Sequence, residues 1–143
     1  MSSQLGRTRT CYNRESDVID IPDRAYFDSE EKFYASLFHE LVHATGSIRR
    51  LARPILLKST GIHGVGEAGQ NYAKEELIAE IGASFLLAHA GIVEDAHEQN
   101  AAYLQGWLQV LKVQAHKRWI VEAASQAQKS VDFILNPSAP LQI

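Results

Sequence analysis

The stretch His39-Glu40-Leu41-Val42-His43 places two metal-ligand side chains around one acid-base side chain. Positions four apart on a helix share a face, so both imidazoles can reach a single ion while Glu40 stands beside it. A carboxylate so placed can take the proton of a water that attacks a carbonyl. The same spacing arises by chance in about 2% of chains of this length and composition. Its helical setting therefore carries part of the reading.

Phe33, Tyr34, Leu37, Phe38, Leu41 and Val42 recur at i, i+4 and i+8 in paired positions, an apolar stripe expected to face a core. Ser36, His39, Glu40 and His43 fall on the other side, where a cleft is expected. Asp28 followed by Glu31 resembles a capping box, and Gly46 supplies a stop.

Catalytic zinc typically takes three protein ligands and keeps a further position for water. A metzincin-type third histidine would fall at position 49, but Arg49 cannot coordinate. The remaining candidates are Glu76, Glu80, His63, His89, His97 and His116. Glu76 and Glu80 lie one turn apart on a second long helix expected from Gln70 to Ala90, which Gly91 ends and Leu77, Ile81, Phe85 and Ala88 stripe. Ala79, Gly82, Ala83 and Ser84 around them are small enough to admit another helix. Glu76 is the preferred third ligand, with Glu80 accepting a hydrogen bond from the other nitrogen of a ligating histidine, and the exchanged roles stay open. Glu75, beside Lys74, reads as an ordinary solvated carboxylate.

This donor set suits one Zn2+ per chain and is compatible with other divalent first-row ions. Peptide hydrolysis with Glu40 as general base is the natural reaction, on a peptide or protein substrate. A transition-state donor is also expected, and Tyr72, His63, Tyr103 and Arg49 are all candidates.

The supporting chain fits one domain: a polar lead at 1–10, a single domain at 11–136 and a tail at 137–143. Its 143 residues, 45% hydrophobic, suffice for an ordinary core. A formal charge of −3 and a pI near 6.0 give no general reason to expect nucleic-acid or anionic-membrane binding. Arg49, Arg50 and Arg53 form the one small basic cluster and read as a solvated loop face. Cys11 is the only cysteine, so no intrachain disulfide forms, and no apolar run is long enough to span a bilayer. A cytoplasmic, non-membrane protein is expected.

Thr10 to Asn13 and Asp17 to Ile21 read as a hairpin that Pro22 ends. Its edge could pair with an extended peptide or simply pack. Ser47 to Asn71 reads as a long loop, rich in glycine from Gly61 to Gly69, that could rim a site. A third helix from about Ala96 to Lys112 and a fourth from about His116 to Leu135, with Trp119, Ile120, Ala123, Ala127, Val131 and Ile134, look like scaffold.

Beyond these single features, a combination of motifs spans nearly the whole chain. Tyr12, Asp17, Ile19, Pro22 and Phe27, then His39 to Gly46 with Arg50-Leu51 and Arg53, then Tyr72 to Glu80, resemble the zincin-like metallopeptidase domain of antirestriction ArdC-type proteins. The likeness continues through Ala101-Ala102-Tyr103, Trp107, Leu111-Lys112 and Ala123-Ala124 to Ala127-Gln128-Lys129. It implies a metal-dependent protease domain of bacteria and their mobile elements, with His39, His43 and a glutamate of the second helix as ligands. Full-length members also carry an N-terminal single-stranded-DNA-binding domain, after which this sequence starts, so DNA binding is not expected of this chain alone. A non-catalytic DNA- or protein-binding module with a structural or vestigial metal is the competing expectation. The fold expected is α+β, a predominantly helical zincin-like domain with a small N-terminal hairpin.

Overall fold

The computed structural model describes residues 9–58, 67–92, 105–106 and 116–137. Along them run β1 (Cys11–Asn13), β2 (Val18–Asp20), a 3-10 turn (Arg24–Tyr26), α1 (Glu30–Thr45), α2 (Pro54–Lys58), α3 (Glu67–His89) and α4 (His116–Leu135). The fold is thus mostly helical with one small antiparallel sheet. No helix among the described residues is long and apolar enough to cross a membrane.

In the hairpin Cys11 faces Asp20, Tyr12 faces Ile19 and Asn13 faces Val18. Asn13 Oδ1 closes the turn by accepting from the backbone of Glu15 (2.9 Å) and Ser16 (3.1 Å). Asp17 leaves it in the left-handed region, at φ 55°. A two-stranded ribbon is marginal alone. Here Arg50 clamps it: the guanidinium pairs with the Asp17 carboxylate and donates to Ala44 O at the end of α1 (2.7 Å), while the Tyr12 hydroxyl donates to Asp17 (2.7 Å). Arg50 first, and then Tyr12, hold the Asp17 carboxyl down to about 2 from its ordinary 3.8.

Ser29 caps α1, accepting from Lys32 N (3.2 Å), and Glu30 and Glu31 favour the positive end of the helix dipole. The cap is not Asp28, whose side chain pairs with Lys32 in solvent (3.1 Å). The expected division of α1 into a core stripe and an opposite cleft face also changes. Val42, fully buried, and His43 both point into the neighbouring helix α3, so the histidine face is itself an interface.

Helix α3 lies between α1 and α4 and buries Ala73, Leu77, Ile78, Ala79, Ala83, Leu86 and Leu87. A helix covered on two sides needs no single stripe. The expected stripe accordingly fails at its far end, where Phe85 and Ala88 are exposed. From α4, Trp119, Ala123, Ala127 and Val131 at four-residue spacing complete the core, while Ile120 is exposed. Ser47 to Asn71 is not one loop, for α2 interrupts it and α3 begins at Glu67. Of the expected third helix, only Gln105 and Gly106 fall among the described residues, and both are helical.

The α1–α3 approach depends on Gly82. A Cβ there would stand 2.7 Å from Val42 Cγ2, closer than carbon atoms pack. Gly82→Ala is therefore expected to destabilise the fold by about 1–3 kcal/mol, because Val42 is fully buried and has nowhere to yield. Equilibrium urea unfolding measures it, and an unchanged midpoint would mean that the helices can part without cost.

Candidate metal centre

Residues of α1 and α3 meet across that close approach. From α1, His39 Nε2 and His43 Nε2 stand 3.1 Å apart. From α3, the Glu76 carboxylate spans both, with Oε2 3.1 Å from His39 Nε2 and Oε1 3.1 Å from His43 Nε2. Ligand atoms of these three residues all lie within 4.8 Å of one another. The other ring nitrogens are held by two further α3 carboxylates: His39 Nδ1 is 3.1 Å from Glu80 Oε2, and His43 Nδ1 is 3.0 Å from Glu75 Oε1. A carboxylate on Nδ1 favours a proton there, so in each neutral ring the lone pair sits on Nε2, the nitrogen facing Glu76.

The three carboxylates reach the histidines because of helical phase. Glu76 and Glu80 are one turn apart and meet opposite nitrogens of His39, whereas Glu75, about 100° round the helix from Glu76, meets the far side of His43. Glu75 is buried, at 2% exposure, which corrects its reading as a solvated carboxylate. Its counter-ion is Arg53, also 2% exposed and likewise not on a solvated loop face. Of the basic cluster, Arg49 alone is well exposed, and it reaches Asp17 (3.4 Å).

Electrostatics follow from burial against pairing. Burial opposes charge on His39, but hydrogen bonds to Glu76 and Glu80, with the charges of Glu76 and Glu40, outweigh it and raise the imidazole to about 10. Burial opposes charge on His43 as well, and Glu75 and Glu76 still raise it. Burial would lift the Glu76 carboxyl, yet the two imidazoles hold it far below the usual carboxylate range. Glu75 is likewise lowered against burial, by Arg53 and His43.

Glu40 stands apart from this triangle. Tyr12 in β1 pairs with Ile19 at the centre of a three-residue ladder, so its N–H points away from β2, and it donates to Glu40 Oε2 (2.9 Å). The edge expected to accept a peptide thus gives its central N–H to Glu40. Tyr72 is half-buried near both Glu76 and Glu40. Burial and then those two charges, against Arg9, raise its phenol and keep it protonated. His89 is exposed in the last turn of α3. His63, His97, Tyr103 and the side chain of His116 lie outside the described residues.

Sequence reasoning missed Glu75 and Arg53. The available signal was the setting of Glu75, one residue before Glu76 and inside a run whose members Ala73, Leu77, Ile78 and Ala79 are apolar and buried.

Two imidazoles one helical turn apart, facing a carboxylate of a neighbouring helix, make the donor set of a zincin-type metal centre, and its chemistry fits a divalent ion. Residues 1–126 match the family model of the zincin-like metallopeptidases named MPTase-PolyVal, and the chain belongs to that family. It is of the ArdC type. Crystal structures of the antirestriction protein ArdC from the R388 plasmid, Mn(II)-bound and metal-free, superpose on it with a TM-score of 0.69 at 38% identity, over 95% and 96% of this chain. Two Escherichia coli proteins named DNA primase TraC are 39% and 36% identical to it over 127 residues. An uncharacterized protein of Sinorhizobium fredii, y4eC, is 30% identical over 129 residues. The chain spans 47% and 46% of the ArdC chains, 11% and 8% of the TraC proteins and 39% of y4eC.

A metal ion held on His39 would have to compete with the proton that this ring carries. Because folding raises this group from 6.5 to about 10, its proton stabilises the metal-free fold fully below pH 6.5, and that contribution is lost as pH rises through 10. Metal uptake at pH 7 is accordingly expected to release at least one proton per ion, with affinity climbing with pH. Titration calorimetry in buffers of different ionisation heat counts the protons, and a count of zero would contradict the raised His39.

Proposed function

We propose that the chain is a zinc-dependent peptidase domain in which His39, His43 and Glu76 hold the ion, Glu80 orients His39, and Glu40 is the general base. The observation that carries this reading is the division of labour among the carboxylates. Glu76 faces both Nε2 atoms, Glu80 and Glu75 take the outer nitrogens, and Glu40 lies beside the cluster with one oxygen anchored on Tyr12 N–H. The Mn(II) named for the ArdC structure supports a divalent ion here. Two imidazoles and one carboxylate favour zinc, one ion per chain.

The ion would supply a Lewis acid for the scissile carbonyl and a water acidic enough to react near neutral pH. Glu40 removes the proton from water as its oxygen bonds to the carbonyl carbon, and returns that proton to the amine nitrogen as the C–N bond breaks. Anchoring Oε2 on the Tyr12 N–H leaves the other carboxylate oxygen to the water and fixes its direction. The Tyr72 phenol, kept protonated beside Glu40 and Glu76, is the proposed donor to the oxyanion among the described residues. Because Glu80 and Glu75 hold the two rings from behind, the histidines need not reorganise when a substrate enters. An extended peptide or protein segment is the substrate proposed, and no DNA contact is assigned to this chain.

Elemental analysis of purified protein supplied with zinc is expected to find about one ion per chain, lost in Glu76→Ala and only weakened, by about 10–100-fold in affinity, in Glu80→Ala. The opposite pattern would exchange the two roles.

Cleavage of an unstructured protein such as casein by the zinc-loaded chain is expected to fall by about 10²–10⁴ in Glu40→Gln with the ion retained. Equal cleavage by that variant would remove Glu40 from the chemistry. Absence of cleavage by a metal-loaded wild type would favour the non-catalytic binding module.

A further inference from the structure

We propose that Arg53 is a positioning residue of the metal centre, fixing the ring of His43 through Glu75, and that Gly46 is glycine because the Arg53 guanidinium lies where its side chain would be. The proposal rests on the ligand assignment above, and neither Arg53 nor Gly46 is among the candidate ligands.

All five N–H groups of Arg53 are used. Nε donates to Glu75 Oε2 (2.8 Å) and Nη2 to Glu75 Oε1 (2.6 Å), a bidentate pair. Nη2 also donates to Val42 O (3.0 Å), and Nη1 donates to Thr45 Oγ1 (3.2 Å) and Ser130 Oγ (3.1 Å). One side chain thus joins the last turn of α1, the middle of α3 and the far half of α4. Glu75 Oε1, fixed by this fork, is the atom that accepts from His43 Nδ1 (3.0 Å). The ring plane of His43, and so the aim of its Nε2, follows from where Arg53 holds that carboxylate.

The backbone is shaped to deliver this guanidinium. After α1 the chain turns back on itself, with Leu51 N donating to Thr45 O (2.9 Å), Ala52 N to Ser47 O (2.9 Å) and Arg53 N to Gly46 O (3.0 Å). Ala52 sits in the left-handed region at φ 48°, a conformation few residues other than glycine adopt. Gly46 does not need a glycine for its own backbone, since its φ is −78°. It needs one for space. A Cβ there would lie 2.7 Å from Arg53 Nη2, 2.8 Å from Arg53 Cζ and 2.8 Å from Leu56 Cδ2. The Leu56 methyl can move, but a guanidinium held by five hydrogen bonds cannot. Lysine would not replace it, for an ammonium has three donors and no fork.

The test compares wild type with Arg53→Met, Arg53→Lys and Gly46→Ala by two readouts: zinc affinity from competition with a chromogenic chelator, and the nitrogen-15 signals of the histidine rings, with and without zinc. Expected are a loss of about 10–100-fold in zinc affinity in Arg53→Met and Gly46→Ala, little rescue by lysine, and altered ring signals for His43 with those of His39 unchanged. A merely structural role would lower the melting temperature and leave the His43 signals of the folded fraction alone. Folded variants with wild-type zinc affinity and an unchanged His43 ring would overturn the proposal. Wild type that binds no zinc would instead sink the ligand assignment, and the His43 signals of the metal-free variants would still report whether Arg53 sets the ring. Gly46→Ala and Arg53→Lys keep the buried cation, and so provide the comparison should Arg53→Met fail to fold.

Discussion

A carboxylate buried between two imidazoles is the arrangement on which the rest of this structure depends. Glu76, only 8% exposed, would be costly to bury as a bare anion, and the imidazoles that face it would be costly to bury as bare cations. Together they are tolerable, provided a positive charge sits among them, and protons or a divalent ion can each supply it. The other buried charges are arranged around that demand. Glu75 is neutralised by Arg53, and Glu80 sits at the less buried edge, where water shares its solvation. Nothing in this arrangement tolerates a shift of one helix relative to the other, since each contact spans about 3 Å.

That demand explains the small residues at the helix crossing. Gly82 lets Val42 reach the backbone of α3, which brings α1 close enough for short glutamate side chains to touch the histidines. The precision of the candidate site is here a packing property. The same is true at the end of α1, where Gly46 leaves room rather than adopting an unusual backbone. A glycine after a helix is usually read for its dihedral freedom, and at this position that explanation does not hold.

How far the sequence could be read divides along one physical line. Features set by local periodicity were legible: the helical phase of His39, Glu40 and His43, the hairpin between Thr10 and Ile21, and the α4 positions Trp119, Ala123, Ala127 and Val131, which share one face. Features set by what a second element brings were not. Glu75 beside Lys74 looks like any surface glutamate until Arg53, 22 residues away, arrives to neutralise it. The stripe of α3 breaks off at Phe85 and Ala88 because a helix buried on two sides blurs the pattern that a single covered face would leave. Ser29 displaced Asp28 as the cap because capping turns on backbone geometry at one residue, which neighbouring Ser and Asp satisfy equally well on paper.

The bond from Tyr12 N–H to Glu40 has a consequence for how such sequences diverge. Glu40 is part of what docks the hairpin onto α1, so discarding it carries a structural cost whatever its chemistry. Glutamine keeps an acceptor at the same reach, whereas alanine strands a backbone donor. Drift at this position is therefore channelled towards glutamine, and a chain that has lost a use for the carboxylate but kept its hairpin is expected to carry glutamine here rather than alanine.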